Sequence, residues 1–126
     1  MKRYIVLFML ATSVSYADET IIYNENRKRV GRIDDKGFIF IKPYGGKKIG
    51  RVEDGFVYDS AYGGKKVGKI NGKGFLYDGA YGGKKVGRWE KGKVYDSPYD
   101  GKRIGHTDRK DGAGFFILKK GGNDNE

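Results

Sequence analysis

Five residues of this chain stand in the same chemical slot. Arg32, Arg51, Lys69, Arg88 and His106 each follow a glycine inside a short apolar motif, and His106 is the only histidine. A second basic series, Arg29, Lys48, Lys66, Lys85 and Arg103, stands two places before the same glycines. Tyr44, Tyr62, Tyr81 and Tyr99 accompany them at Gly-Gly or Asp-Gly pairs, recurring every 18 or 19 residues. Like charges gathered at one level repel one another, and an anionic ligand relieves that repulsion. Repeated aromatics offer another chemistry, the gripping of choline or a glucan in aromatic clefts. That reading has only one tryptophan, Trp89, to draw on. The plainer account of both basic series is a solvated strand face.

Catalysis has little material here. Acyl transfer needs a nucleophile, a base and a carboxylate that orients the base. Cysteine is absent, and the one set that can be named is Ser97, His106 and Asp108. His106 fills a slot that is otherwise Arg or Lys, so it reads as a surface variant; an envelope hydrolase using it is the remote alternative. Zinc would call for Cys, His and carboxylate clusters. Asp34-Asp35 and the run from Asn123 to Glu126 lack the spacing of a calcium loop. We expect no metal and no cofactor. Gly-Gly-Lys-Lys lacks the spacing and the following helix of a phosphate loop. The aspartates of Tyr58-Asp59, Tyr77-Asp78 and Tyr95-Asp96 read as caps on local backbone N–H groups.

The elements that position these residues come from a repeat, and a fixed short period sets the whole architecture. Each copy holds two strand signals: one like Lys65 to Ile70, the other like Phe56 to Asp59. Phe38 to Ile41, Phe75 to Asp78, Lys93 to Asp96 and Phe115 to Leu118 repeat the second type, and Ile21-Ile22-Tyr23 adds one before the first copy. No helical periodicity is evident beyond the leader, so no helix is expected. Glu53-Asp54-Gly55 and Glu90-Lys91-Gly92 suit three-residue hairpin loops, and Asp34 to Gly37 and Asn71 to Gly74 are one residue longer. Gly45-Gly46, Gly63-Gly64, Gly82-Gly83 and Asp100-Gly101 suit two-residue turns. The expected fold is therefore all-β: an antiparallel meander of five hairpin repeats, closed into a ring with approximate five-fold symmetry because open edges are a liability. Either Ile21 to Tyr23 or Phe115 to Leu118 is supernumerary and seals the seam. Gly31, Gly50, Gly68, Gly87 and Gly105 lie inside strands, which implies a bulge, a close backbone approach or a bend.

These units, Tyr-Asp followed by Gly-Lys-Lys-Val-Gly-Arg/Lys-Val, resemble the bacterial beta-flower proteins, small domains of hairpins arranged radially. The resemblance runs from Ile21 to Lys120, and five copies imply the five-fold form. It implies a fold and carries no activity or ligand, so no functional residue transfers. The first copy departs from the pattern with Asn26-Arg27-Lys28, and the last has a longer turn from Asp108 to Gly114. Symmetry is expected to fail there.

Residues 1–17 read as a secretory leader: Lys2 and Arg3, an apolar run from Tyr4 to Ala11, and small residues at Ser15 and Ala17. The run falls short of the ~20 residues that span a bilayer. Residues 18–120 then form the repeat domain, and 121–126 a flexible tail. Removal of the leader lowers the net charge from +10 to +8. Without cysteine there is no lipoprotein anchor, so the product is expected in the periplasm or outside the cell. Its expected role is that of a non-catalytic structural or binding module. The expected partner is an anionic polysaccharide or lipopolysaccharide, and export argues against nucleic acid.

Overall fold

The computed structural model describes residues 19–120; the leader and the tail expected at the two ends lie outside the described residues. Ten short strands form a closed antiparallel barrel. They are β1 (Thr20–Asn24), β2 (Arg29–Ile33), β3 (Phe38–Phe40), β4 (Lys48–Glu53) and β5 (Phe56–Tyr58), then β6 (Lys66–Ile70), β7 (Phe75–Tyr77), β8 (Lys85–Glu90), β9 (Lys93–Tyr95) and β10 (Arg103–Thr107). Neighbours in sequence pair throughout, as a meander requires. β1 closes the ring against β10, with Ile22 opposite Thr107 and Asn24 opposite Gly105. Among the described residues no helix is long and apolar enough to cross a membrane.

Strand alternation divides the side chains cleanly. Ile22, Ile33, Ile39, Val52, Val57, Ile70, Leu76 and Val94 are buried in one core. Their strand neighbours, such as Arg51 and Tyr58, stand opposite one another on the outer face. Both basic series therefore lie outside the barrel.

Phe115 to Leu118, expected as a strand, is a helix. A 3-10 turn, Lys110–Ala113, leads into α1, Gly114–Lys120. The reason is the ring itself. β1 has already sealed the seam, so an extended segment entering the lumen would find no edge to bond with. A helix satisfies its own backbone while burying apolar side chains on several sides. Phe115, Ile117 and Leu118 are buried, and Lys119 and Lys120 complete the last turn, where cations suit the helix dipole. Arg109 donates to the Asp34 carbonyl at 2.6 Å and Lys110 to that of Gly72 at 3.4 Å, holding the 3-10 turn to one end of the barrel.

The five strand glycines now have a physical cause. A Cβ at Gly31, Gly68, Gly87 or Gly105 would meet the carbonyl oxygen of Phe40, Tyr77, Tyr95 or Tyr23 at 2.6–2.9 Å, and Gly50 faces that of Tyr58 in the same way. Beside each glycine the pairing slips by one residue; Ile39 faces Gly50 while Phe40 faces Lys48, which leaves Ile49 as a bulge. Helix α1 adds a second constraint. Cβ atoms at Gly31, Gly50 and Gly68 would lie 2.6, 2.7 and 2.8 Å from Phe115, Leu118 and Ile117, and one at Gly105 would strike Phe116. Bulge and close approach act together.

The turns differ from expectation in both directions. Asp54-Gly55 and Lys91-Gly92 are two-residue turns with φ of 55° and 85°, and 50° and 89°. Strand pairing continues through Glu53 opposite Phe56, so the glutamate belongs to the ladder and not to the turn. At the other end, the expected tight turns are longer loops. Asp59 N–H donates to the Lys65 carbonyl at 3.1 Å, and Lys65 N–H donates to Asp59 Oδ1 at 3.0 Å. Asp78 and Asp96 repeat the arrangement with Lys84 and Lys102. The carboxylate accepts the N–H that a tight turn would leave to the partner strand, and so a wider loop closes. One end of the barrel thus carries short turns and the 3-10 cover; the other carries long loops tipped with tyrosine.

Candidate functional site

The long-loop rim concentrates the chemistry. Tyr44, Tyr62, Tyr81 and Tyr99 are exposed at 66, 71, 75 and 62%. Each of the last three leans back onto the first residue of the second-type strand one unit earlier. Ring centroids lie 5.4 Å apart for Phe38 and Tyr62, 5.6 Å for Phe56 and Tyr81, and 5.7 Å for Phe75 and Tyr99. Between the rings sits a lysine from the intervening strand. Lys48 donates to the Tyr62 hydroxyl at 2.8 Å, Lys66 to Tyr81 at 2.7 Å and Lys85 to Tyr99 at 3.2 Å. The same ammonium groups stand 4.1–4.2 Å from the centroids of Phe38, Phe56 and Phe75, within cation–π range. The hydrogen bond that Lys66 donates to the Tyr81 hydroxyl raises the ammonium above its ordinary value.

The first basic series behaves differently. Arg51 lies 3.9 Å above the Tyr58 ring, and its Nη1 donates to the carbonyls of Ser60, Ala61 and Gly63. Arg32 lies 3.8 Å above Phe40 and donates to Lys42 and Gly45 carbonyls. Arg88 stacks on Tyr95 at 4.9 Å and pairs with Glu90 at 3.3 Å, while Lys69 stands 5.9 Å from Tyr77. Of these, Arg32 and Arg51 fasten their long loops to the barrel wall. The tyrosines and Arg29 are exposed, while Lys48, Lys66, Lys85 and Arg103 are half-buried, as the first series is.

His106 completes the first series at the seam. Its ring meets Tyr23 edge-on at 5.8 Å, and Nε2 lies 3.3 Å from Asp108. Ser97 is elsewhere engaged, donating to the Tyr99 carbonyl at 3.1 Å, so the nucleophile of the Ser97–His106–Asp108 set is not brought to the imidazole. The seam holds a cleft of about 420 Å³ lined by Tyr23, Arg27, Lys93, Arg103, His106 and Asp108. Two further clefts flank the regular rim: about 440 Å³ between Lys48 and Tyr62, and about 340 Å³ beneath Tyr81. Among the described residues no group of three or more His, Cys, Asp or Glu side chains could hold a metal ion.

The contribution of Phe38, Phe56 and Phe75 escaped sequence reading, which placed them only as strand formers. Antiparallel register was the available signal: Phe38 opposite Arg51 and Phe40 opposite Lys48 put aromatics and cations on one face. Compared with family models, curated proteins and solved structures, the chain matches none.

Proposed function

We propose that this protein is an exported, non-catalytic module that binds an anionic envelope polysaccharide, lipopolysaccharide included, along its tyrosine-tipped rim. One observation carries the reading: the unit of exposed tyrosine, lysine and phenylalanine occurs three times with the same geometry. A polymer with repeating anionic sugars presents repeating partners to such a surface, and linked weak sites add through effective concentration. The tyrosine rings offer flat faces to sugar rings, and the lysines supply fixed positive charge. The leader at residues 1–17 supports export, and the basic balance suits an anionic partner. We take the five units as an approximately five-fold ring of the beta-flower kind, which sets the rim sites at similar spacing.

The facing aromatic pairs also favour a second reading, binding of choline or a neutral glycan by stacking. The lysine in each pair already occupies the place a quaternary ammonium would take, which weighs against choline. Salt separates the two. A glycan and lipopolysaccharide array with the chain lacking residues 1–17 should show binding that falls by more than tenfold between low and high salt. Replacing Lys48, Lys66 and Lys85 together by Ser should abolish it. Salt-resistant binding that survives the lysine changes and is lost with Tyr62→Ala, Tyr81→Ala and Tyr99→Ala would favour neutral stacking. Silence across the array would sink both.

A further inference from the structure

At the seam the strand ladder is kept, the closing loop is shorter, and a lysine stands where the regular units have phenylalanine. Register makes the correspondence plain. Phe38, Phe56 and Phe75 face Arg51, Lys69 and Arg88 across the ladder; in the last unit Lys93 faces His106 in the same way. Arg103 holds the position of Lys48, Lys66 and Lys85, since Tyr95 faces it as Phe40 faces Lys48. The loop that would bring a tyrosine onto this unit is the β1–β2 turn, and it brings Arg27 instead. Where the regular units have two rings clasping one lysine, the seam has three cations about an open cleft of about 420 Å³.

Folding alone does not account for this exchange. Arg27 has φ of 66°, a left-handed conformation that the other long loops assign to Gly45, Gly63 and Gly82 and, between β9 and β10, to Asp100. Glycine suits such a position better than any residue with a Cβ. The turn is held without the arginine side chain: Asn24 Oδ1 accepts from the N–H groups of Asn26 and Lys28 at 2.8 and 3.0 Å. Among the described residues, no carboxylate forms an ion pair with Arg27, Lys93 or Arg103. The one acidic side chain lining the cleft, Asp108, lies against His106 at 3.3 Å, and Arg103 reaches only the Glu25 carbonyl at 3.5 Å. Two guanidinium groups and an ammonium line this one cleft.

We infer that the seam cleft is a binding site for a phosphate monoester. Arginine forks match phosphate oxygens, and the lysine adds a point charge. The cleft has room beyond the phosphate, and the Tyr23 ring forms an aromatic wall for an organic body such as a sugar. The site is separate from the rim and does not depend on polysaccharide binding there.

His106, alone of its kind, gives a clean probe. Its imidazole proton signals should be followed by NMR as glucose 1-phosphate, inorganic phosphate, glucose or sodium chloride is added at matched pH and ionic strength. The expected result is a saturable shift with glucose 1-phosphate at concentrations at least tenfold below those needed for inorganic phosphate, and none with glucose. The variant Lys93→Phe with Arg27→Gly places the phenylalanine of the regular units and a glycine suited to the left-handed turn, and so should fold. It should weaken glucose 1-phosphate binding at least tenfold. Tyr62→Ala with Tyr81→Ala should leave the titration unchanged, which keeps this site distinct from the rim. A shift that follows ionic strength alone, or one unchanged by the Lys93 and Arg27 substitutions, would overturn the inference. Equal affinity for inorganic phosphate would overturn the monoester and leave a simple anion site.

Discussion

Gly50 and Arg51 are neighbours on one strand and belong to different worlds. Gly50 faces the lumen, where Leu118 of α1 presses on it; Arg51 faces outward onto Tyr58 and the carbonyls of the next loop. The same contrast runs around the barrel. On the inside, five identical glycines meet partners that differ: Phe115, Leu118, Ile117 and Phe116 each take one, while Gly87 meets Leu76 and no side chain of the helix. On the outside, Lys48, Lys66 and Lys85 meet the same pair of rings each time. A repeated wall can be filled by something that does not repeat, provided its residues are small. It displays a repeated surface only where each unit finds its partner in the next unit. Function that depends on repetition therefore belongs to the outer face, and the inner face belongs to stability.

The heaviest test of that division is Leu118→Ala. The side chain is almost wholly buried in the core that the barrel shares with α1. Truncating a buried leucine costs about 2–5 kcal/mol, a large share of the ~5–15 kcal/mol that holds a domain together. The urea midpoint should fall accordingly, while binding to any rim ligand by the folded fraction stays unchanged. A Leu118→Ala chain as stable as the parent would mean that the helix is an ornament and the ring is held by its strands alone.

Much of the barrel was legible because its signals are local. Gly, Asp and alternating apolar residues announce turns and strands within a few positions, and β1 could be anticipated as a surplus strand. The helix was not legible from the same signals. Phe115 to Leu118 has strand composition, and only the closed seam, a long-range fact, denies it a partner. The loops were misread for a related reason: whether Asp59 caps a wide loop or ends a tight one depends on where Tyr62 finds Phe38, a contact between units. The site was half legible. Both basic series were visible as spacing, but which of them is tied down follows from Arg51 reaching carbonyls of a loop on the next strand.

Gly68→Ala sharpens the inner half of the comparison. Its Cβ would meet Tyr77 O at 2.9 Å and Ile117 Cγ2 at 2.8 Å, so overpacking should cost about 1–3 kcal/mol. Gly87→Ala meets a carbonyl as well but no helix side chain. Double-mutant cycles with Ile117→Ala, read by urea denaturation, should then show coupling of at least about 0.5 kcal/mol for Gly68 and none for Gly87. Equal coupling at both would show that the bulge carbonyl alone dictates glycine, with the helix indifferent.

Arg51→Lys has the smallest expected effect and tests the outer half. The two regular cations Arg51 and Lys69 hold equivalent places, yet only Arg51 reaches loop carbonyls; Lys69 lies 5.9 Å from its ring against 3.9 Å for Arg51. An ammonium cannot cover the ring and reach three carbonyls as a planar guanidinium does. Losing those bonds should cost about 1 kcal/mol net, taking each protein hydrogen bond at about 0.5–1.5 kcal/mol and allowing water to replace part of them. Lys69→Arg should do the reverse, stabilising by a similar or smaller amount and slowing amide exchange at 79–83. If the two exchanges give opposite and comparable shifts in the urea midpoint, the outer positions are interchangeable units. If only Arg51→Lys has an effect, the outer face is also individually fitted, and the contrast with the lumen narrows to the lysine and tyrosine rim.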